Sequence, residues 1–188
     1  MKLEIVRYGD PILREKGRHI SETDDQIREL AANMIETMQA ANGVGLAAQQ
    51  VGEALQLTVI DVSKAEEQPS TMKLNGAEVE PNDFMPLILL NPELSLGKET
   101  NFAVEGCLSF PEITGEVRRA IAVRLKGETI DRLPIEIEAT GLLARALQHE
   151  VDHLNGILFI DRMSAATKVA LRSRLKRIQR ETLAAAKG

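Results

Sequence analysis

The chain has 188 residues, 44% of them hydrophobic, and a formal net charge of −5, which favours one substantial core in a single domain over residues 1–188. The acidic balance argues against general nucleic-acid binding and gives no DNA partner. One cysteine excludes an internal disulfide, and the start "MKLEIVRYGDP" lacks the apolar core of about 7 to 15 residues that a signal peptide needs; no run reaches the roughly 20 apolar residues of a membrane span, so a cytoplasmic protein with no membrane partner is expected.

Residues 23–41 read as an amphipathic helix, because Ile27, Leu30, Met34 and Met38 share one face and Thr23 with Gln26 can form a capping box. Asn42 and Gly43 end it. "LTVIDV" (57–62) and "LILLN" (87–91) read as strands. The stretch between them, 64–86, is polar, carries three prolines and has no sustained period, so it is expected as a surface excursion or mobile loop. Ile121, Val123 and Leu125 alternate with polar or small residues, as do Ile135 and Ile137, which predicts two half-buried strands.

A helix capped at Thr140 should run through "LLARALQHEVDHL" and stop at Gly156. Its first two turns are apolar nearly all round, as expected of a helix surrounded by sheet. A last helix from about Ala165 to Lys187 has Leu171, Leu175, Ile178 and Thr182 on one stripe. Its other faces carry Lys168, Arg172, Arg174, Lys176, Arg177, Arg180 and Lys187 against a lone Glu181. The fold class is α+β: antiparallel strands packed around a central metal-binding helix, with helices towards both ends.

The chemistry concentrates in "QHEVDH" (148–153). His149 and His153 stand four apart, so a helix projects both imidazoles from one face, a spacing that suits two ligands of one metal ion. Glu150 is rotated by about 100°, close to the ion without binding it, as suits a general base. The extended metalloprotease pattern places a third His further on, but that position is Phe159. Of the other candidates, His19 follows a charged segment and reads as an exposed loop residue. Glu181 has an ordinary i,i+4 partner in Arg177. That leaves Cys107, in "EGCLSFP" (105–111), between Gly106 and Pro111. One thiolate and two neutral imidazoles leave a fourth position open, the donor set of a catalytic site.

Three segments in order, "GVGLAAQQVG" (43–52), "EGCLSFP" and "QHEVDH", make the sequence resemble peptide deformylase. Gly43, Gly45 and Ala48 also fit a dinucleotide fingerprint spacing, but they follow a predicted helix and not a strand, so that reading fails its context. The resemblance implies hydrolysis of the N-formyl group from N-formyl-methionyl nascent polypeptides, with release of formate. It implies Fe2+ at Cys107, His149 and His153, with Zn2+, Ni2+ or Co2+ able to substitute, and Glu150 as the proton carrier. It places the Gln50 side chain and the Leu108 backbone N–H at the oxyanion, and Gly43, Gly45 and Gly106 against the substrate. It further implies that the basic last helix docks on the ribosome near the tunnel exit. Two departures stand out: Thr114 and Gly115 occupy a stretch where some relatives have a basic residue that holds the peptide, and the 64–86 excursion is longer than in compact relatives. The rival readings are a metallopeptidase using the same His pair, and a nascent-chain or ribosome-binding module with a structural metal.

Overall fold

The computed structural model describes residues 1–65 and 68–186. The first long helix, α1, spans Asp25–Ala40 and buries Ala31, Met34, Thr37 and Met38. Its cap is Asp24, whose carboxylate accepts from Ile27 N at 2.9 Å, so the expected Thr23–Gln26 box sits one residue out of register. Asn42 ends this region in a left-handed conformation at φ 54°.

The strands are β1 (Gly45–Ala47), β2 (Leu57–Ile60), β3 (Ser70–Leu74), β4 (Ala77–Val79), β5 (Leu87–Leu96), β6 (Thr100–Gly106), β7 (Thr114–Ala120), β8 (Ala122–Glu128) and β9 (Pro134–Thr140). Seven of them form one sheet in the order β1-β2-β5-β8-β9-β3-β4, and β6 pairs with β7 in a separate hairpin. Every pairing between these strands is antiparallel. In β8, Val123 and Leu125 face the core while Ala122 and Arg124 face out, the alternation expected of a sheet covered on one side.

The 64–86 segment is more ordered than its composition suggests. Its second half is the β3–β4 hairpin, which adds to the free edge of β9. Asn75 and Gly76 turn it with φ of 49° and 86°, the left-handed pair that matches strand twist. Glu66 and Glu67, in its first half, lie outside the described residues. The sequence reading also omitted β6 and β7.

The second long helix, α2, spans Gly141–Leu154 and packs on the sheet through Leu143, Ala144, Ala146, Leu147 and Val151 against Ile60, Leu89, Leu125 and Ile137. At roughly 1.5–3 kcal/mol for each fully buried leucine, these contacts can hold the polar second half of the helix inside the protein. Thr140 precedes the helix but does not cap it with its side chain. Its hydroxyl meets Thr71 Oγ1 at 2.6 Å, and Ser70 Oγ of β3 accepts from Leu143 N at 2.9 Å. The excursion therefore supplies the cap. The last helix, α3, spans Ala165–Ala185; Ile178 joins a cluster with Leu13, Phe110, Ile113, Val117 and Phe159, and Leu171 and Leu175 pack against it. Lys187 lies outside the described residues.

Candidate active site

The second half of α2 meets the turn that follows β6. Cys107 leaves the strand directly after Gly106, and a bond from Phe110 N to Cys107 O at 2.9 Å closes the turn. Cys107 Sγ then lies 3.3 Å from His153 Nε2. One ligand atom from each of Cys107, His149 and His153 falls within 4.8 Å of the others. Phe159, at the third-histidine position of the protease pattern, is a core residue: it is 1% exposed, with its ring 5.0 Å from Phe110 and 5.8 Å from His149. His19 is exposed on the surface, and Glu181 lies 3.9 Å from Arg177 on α3.

Glu150 is 3% exposed, and its Oε2 is buried without a hydrogen-bond partner. Burial, resisted by the charges of His149 and Arg119, pushes this carboxyl up to about 7. Gly45 makes room for it, since a Cβ at that position would stand 2.3 Å from Glu150 Oε1. A Cβ at Gly43 would stand 2.7 Å from Leu108 Cδ1. Gly106 is less constrained: its Cβ would meet Thr114 Cγ2 at an ordinary 3.5 Å.

Gln50 sits in the 3-10 turn Ala48–Val51, 1% exposed. Its side-chain carbonyl accepts from Ala47 N at 2.9 Å, so the amide nitrogen is aimed the other way, to Ser109 Oγ at 3.2 Å and Cys107 Sγ at 3.5 Å. Gln49 points elsewhere, donating to Glu15 O and Leu154 O. Gly43, Gly45, Gln50, Gly106, Cys107, Leu108, His149 and Glu150 all line one cleft of about 570 Å3, which Leu142, Arg145, Ala146 and Ile113 extend with largely apolar walls. His153 lies behind this surface, 1% exposed.

A second layer of charge was absent from the sequence reading. Glu105 Oε2 lies 3.1 Å from His149 Nδ1. Arg119 grips the same carboxylate with two bonds, at 2.9 and 3.0 Å, and Arg145 Nη2 adds a third at 3.1 Å. Burial opposes the ionised form, yet the bonds from His149 and Arg119 outweigh it and hold Glu105 down at about 2. An ionised carboxylate can only accept, so His149 Nδ1 carries the proton and its Nε2 is left for an ion. The remaining amine of Arg119 bonds to Asp152, which Arg162 also holds at 2.7 and 3.1 Å. The available signal was Arg119 on the same alternating face as Val117 of β7: a charge on a buried face requires a buried partner.

A soft thiolate and two imidazoles, one oriented by a carboxylate, fit a divalent transition-metal ion. The sequence profile of the family described as polypeptide deformylase matches residues 2–169. The chain belongs to this family. It is similar to the peptide deformylase of Opitutus terrae, 46% identical with 100% of this chain and 98% of that one covered. It resembles that of Methylacidiphilum infernorum at 45% identity, covering 96% and 94%. Among solved structures, Arabidopsis thaliana peptide deformylase 1B bound to an inhibitor superposes with a TM-score of 0.82 at 34% identity over 95% of this chain and 91% of that one. The Thermotoga maritima peptide deformylase does so with 0.75 at 37%, covering 87% and 99%. The chain is therefore a metal-dependent hydrolase that removes the formyl group, and formylated nascent peptides are the substrates its family implies.

Proposed function

We propose that Cys107, His149 and His153 hold one Fe2+ ion and that Glu150, Gln50 and the Leu108 backbone N–H carry deformylation of N-formyl-methionyl chains in the cytoplasm. The observation that supports this reading is the meeting of one thiol sulfur and two imidazole nitrogens within 4.8 Å, beside a cleft lined by Cys107, His149 and Glu150. Zn2+, Ni2+ or Co2+ would suit the same donors. When bound, the ion supplies Lewis acidity, polarising the formyl oxygen and acidifying a water molecule.

The chain's own groups do the rest. Glu150, desolvated and with an unshared oxygen, takes the proton from the attacking water and delivers it to the departing amine. Gln50, fixed by its bond from Ala47 N, directs an N–H at the developing oxyanion, where the Leu108 N–H joins it. The apolar wall of Leu142, Ala146 and Ile113 takes the methionyl side chain. Beside it, β1 and β6 each pair with only one neighbour among the described residues, so each has an edge for an extended peptide.

Anaerobic metal analysis beside a formate-release assay tests the ligand set. The wild type should carry about one ion per chain and release formate, and Cys107→Ala should lose both together. A Cys107→Ala protein with full metal occupancy and turnover would overturn the assignment.

Ribosome docking through α3 belongs to the same proposal. Lys168, Arg172, Arg174, Lys176 and Arg180 are exposed while Ile178 is buried, so the helix offers a basic outer face for phosphates and keeps its apolar stripe on the body. Deleting α3 would strip the cluster around Phe110 and Phe159, which makes charge reversal the cleaner test. Glu at positions 168, 172 and 176 should leave hydrolysis of short formyl-peptides unchanged and weaken cosedimentation with ribosomes at about 0.1 M salt, where screening acts over about 10 Å. Equal cosedimentation would reject the docking role. Among the described residues no helix is long and apolar enough to cross a membrane.

A further inference from the structure

β6 uses its two faces differently. Glu105 points inward to His149 and Arg119, and Ala103 shares its side of the strand. Phe102 and Val104 lie on the opposite face and are 62% and 70% exposed. Residues 103–106 line the cleft, whereas Phe102 stands just beyond it, two residues along on the face that Val104 and Gly106 share. Arg118, Glu116 and Thr114 of β7 lie opposite Phe102, Val104 and Gly106. The outward apolar row thus starts at the ligand turn and runs away from it, flanked by polar side chains. Its other edge pairs with no strand among the described residues.

We propose that Phe102, with Val104, forms an apolar track that extends the cleft and receives an apolar side chain of the formylated polypeptide at its fourth residue. The proposal rests on the placement of deformylation at Cys107, His149 and His153. Three residue steps lead from inward-facing Glu105 to Phe102, about 10 Å at roughly 3.3 Å per residue, so a strand whose methionyl residue lies opposite Glu105 reaches Phe102 with its fourth residue. Side chains of an added strand alternate: with the methionyl side chain in the cleft, the second and fourth residues share the outward face. Residues opposite one another on a shared face come within about 4.5–5.5 Å, close enough for a leucine to cover the Phe102 ring. Continuity with the cleft decides for the substrate over any other occupant, since a chain leaving Gly106 along this edge must pass Val104 and Phe102.

The test compares kcat/KM for formyl-Met-Ala, formyl-Met-Ala-Ala-Leu-Ala and formyl-Met-Ala-Ala-Ser-Ala in the metal-loaded wild type and Phe102→Ser. Phe102 is exposed, so the variant keeps the fold. In the wild type the Leu peptide should exceed the Ser peptide on the order of fivefold, mainly through KM, because the contact is made equally in ground and transition states. In Phe102→Ser the ratio should fall to about one, with formyl-Met-Ala turnover unchanged. A wild type that hydrolyses formyl-Met-Ala but shows no preference, or a variant that keeps the preference, overturns the track and leaves the reading of the site intact. No formate from formyl-Met-Ala removes the site reading and the track with it. A dimer seen by sedimentation in the wild type and lost in Phe102→Ser, with equal peptide profiles in both, assigns the face to a second copy and overturns the proposal.

Discussion

Glu150→Gln is expected to lower kcat at least about 100-fold while metal content and folding are kept, because a proton carrier in the transition state contributes about 10²–10⁴-fold. The substitution is close to isosteric, so it respects the space left by Gly45, where even a Cβ would stand 2.3 Å from Oε1. It removes a buried carboxylate whose Oε2 has no partner, so stability should not fall. Steady-state formate release beside metal analysis reads both quantities, and a kcat equal to wild type would take Glu150 out of its role. A pH profile of the wild type adds an independent check. Burial pushes Glu150 up to about 7, and a cation beside it favours the ionised form and pulls the value down again. The base works deprotonated, so kcat/KM should rise with pH through an apparent value below about 7 that belongs jointly to Glu150 and the attacking water. A flat profile from about pH 5 to 8 in metal-saturated enzyme would contradict this.

The parts of the site that were legible in the sequence are those fixed by local geometry. His149, Glu150 and His153 lie within two turns of one helix, so their relative directions follow from 3.6 residues per turn. Cys107 stood out because the chain has one thiol and a Gly and a Pro bracket its turn. Glu105 is adjacent to Gly106, yet its task depends on partners 14 and 44 residues away, and no periodicity reports such distances. The β6–β7 hairpin hid for a related reason: Thr100, Asn101, Phe102 and Val104 face solvent, so the strand has almost no buried side to alternate. The β3–β4 hairpin did carry a signal, Asn75-Gly76, between short polar strands whose only full burial is Met72. Its use as a cap for α2 through Ser70 is a tertiary fact that the polar composition could not convey.

Arg119→Met is expected to destabilise the protein by about 3 kcal/mol, because removing one partner of a buried ion cluster leaves the opposite charges uncompensated. Arg119 is 4% exposed and ties Glu105 of β6 to Asp152 of α2. Met has similar length and packs well, so the loss isolates charge from volume. Each carboxylate keeps some support, Glu105 from Arg145 and His149 and Asp152 from Arg162, which places the effect at the lower end of the roughly 3–5 kcal/mol typical of broken buried pairs. For a chain of this size the loss corresponds to a fall in Tm of roughly 6–12 °C, measurable by calorimetry. The metal should weaken as well: with Arg119 gone, Glu105 loses the bidentate grip that fixes its oxygens, and His149 loses a firmly held acceptor for Nδ1. Altering such a support of a ligating histidine typically costs about 10–100-fold in metal affinity. Arg119→Lys, which restores the charge without the fork, should recover part of the stability and less of the metal affinity. A Tm within about 2 °C of wild type for Arg119→Met, well under the change that about 3 kcal/mol implies, would show that the surrounding cations already neutralise both carboxylates without it.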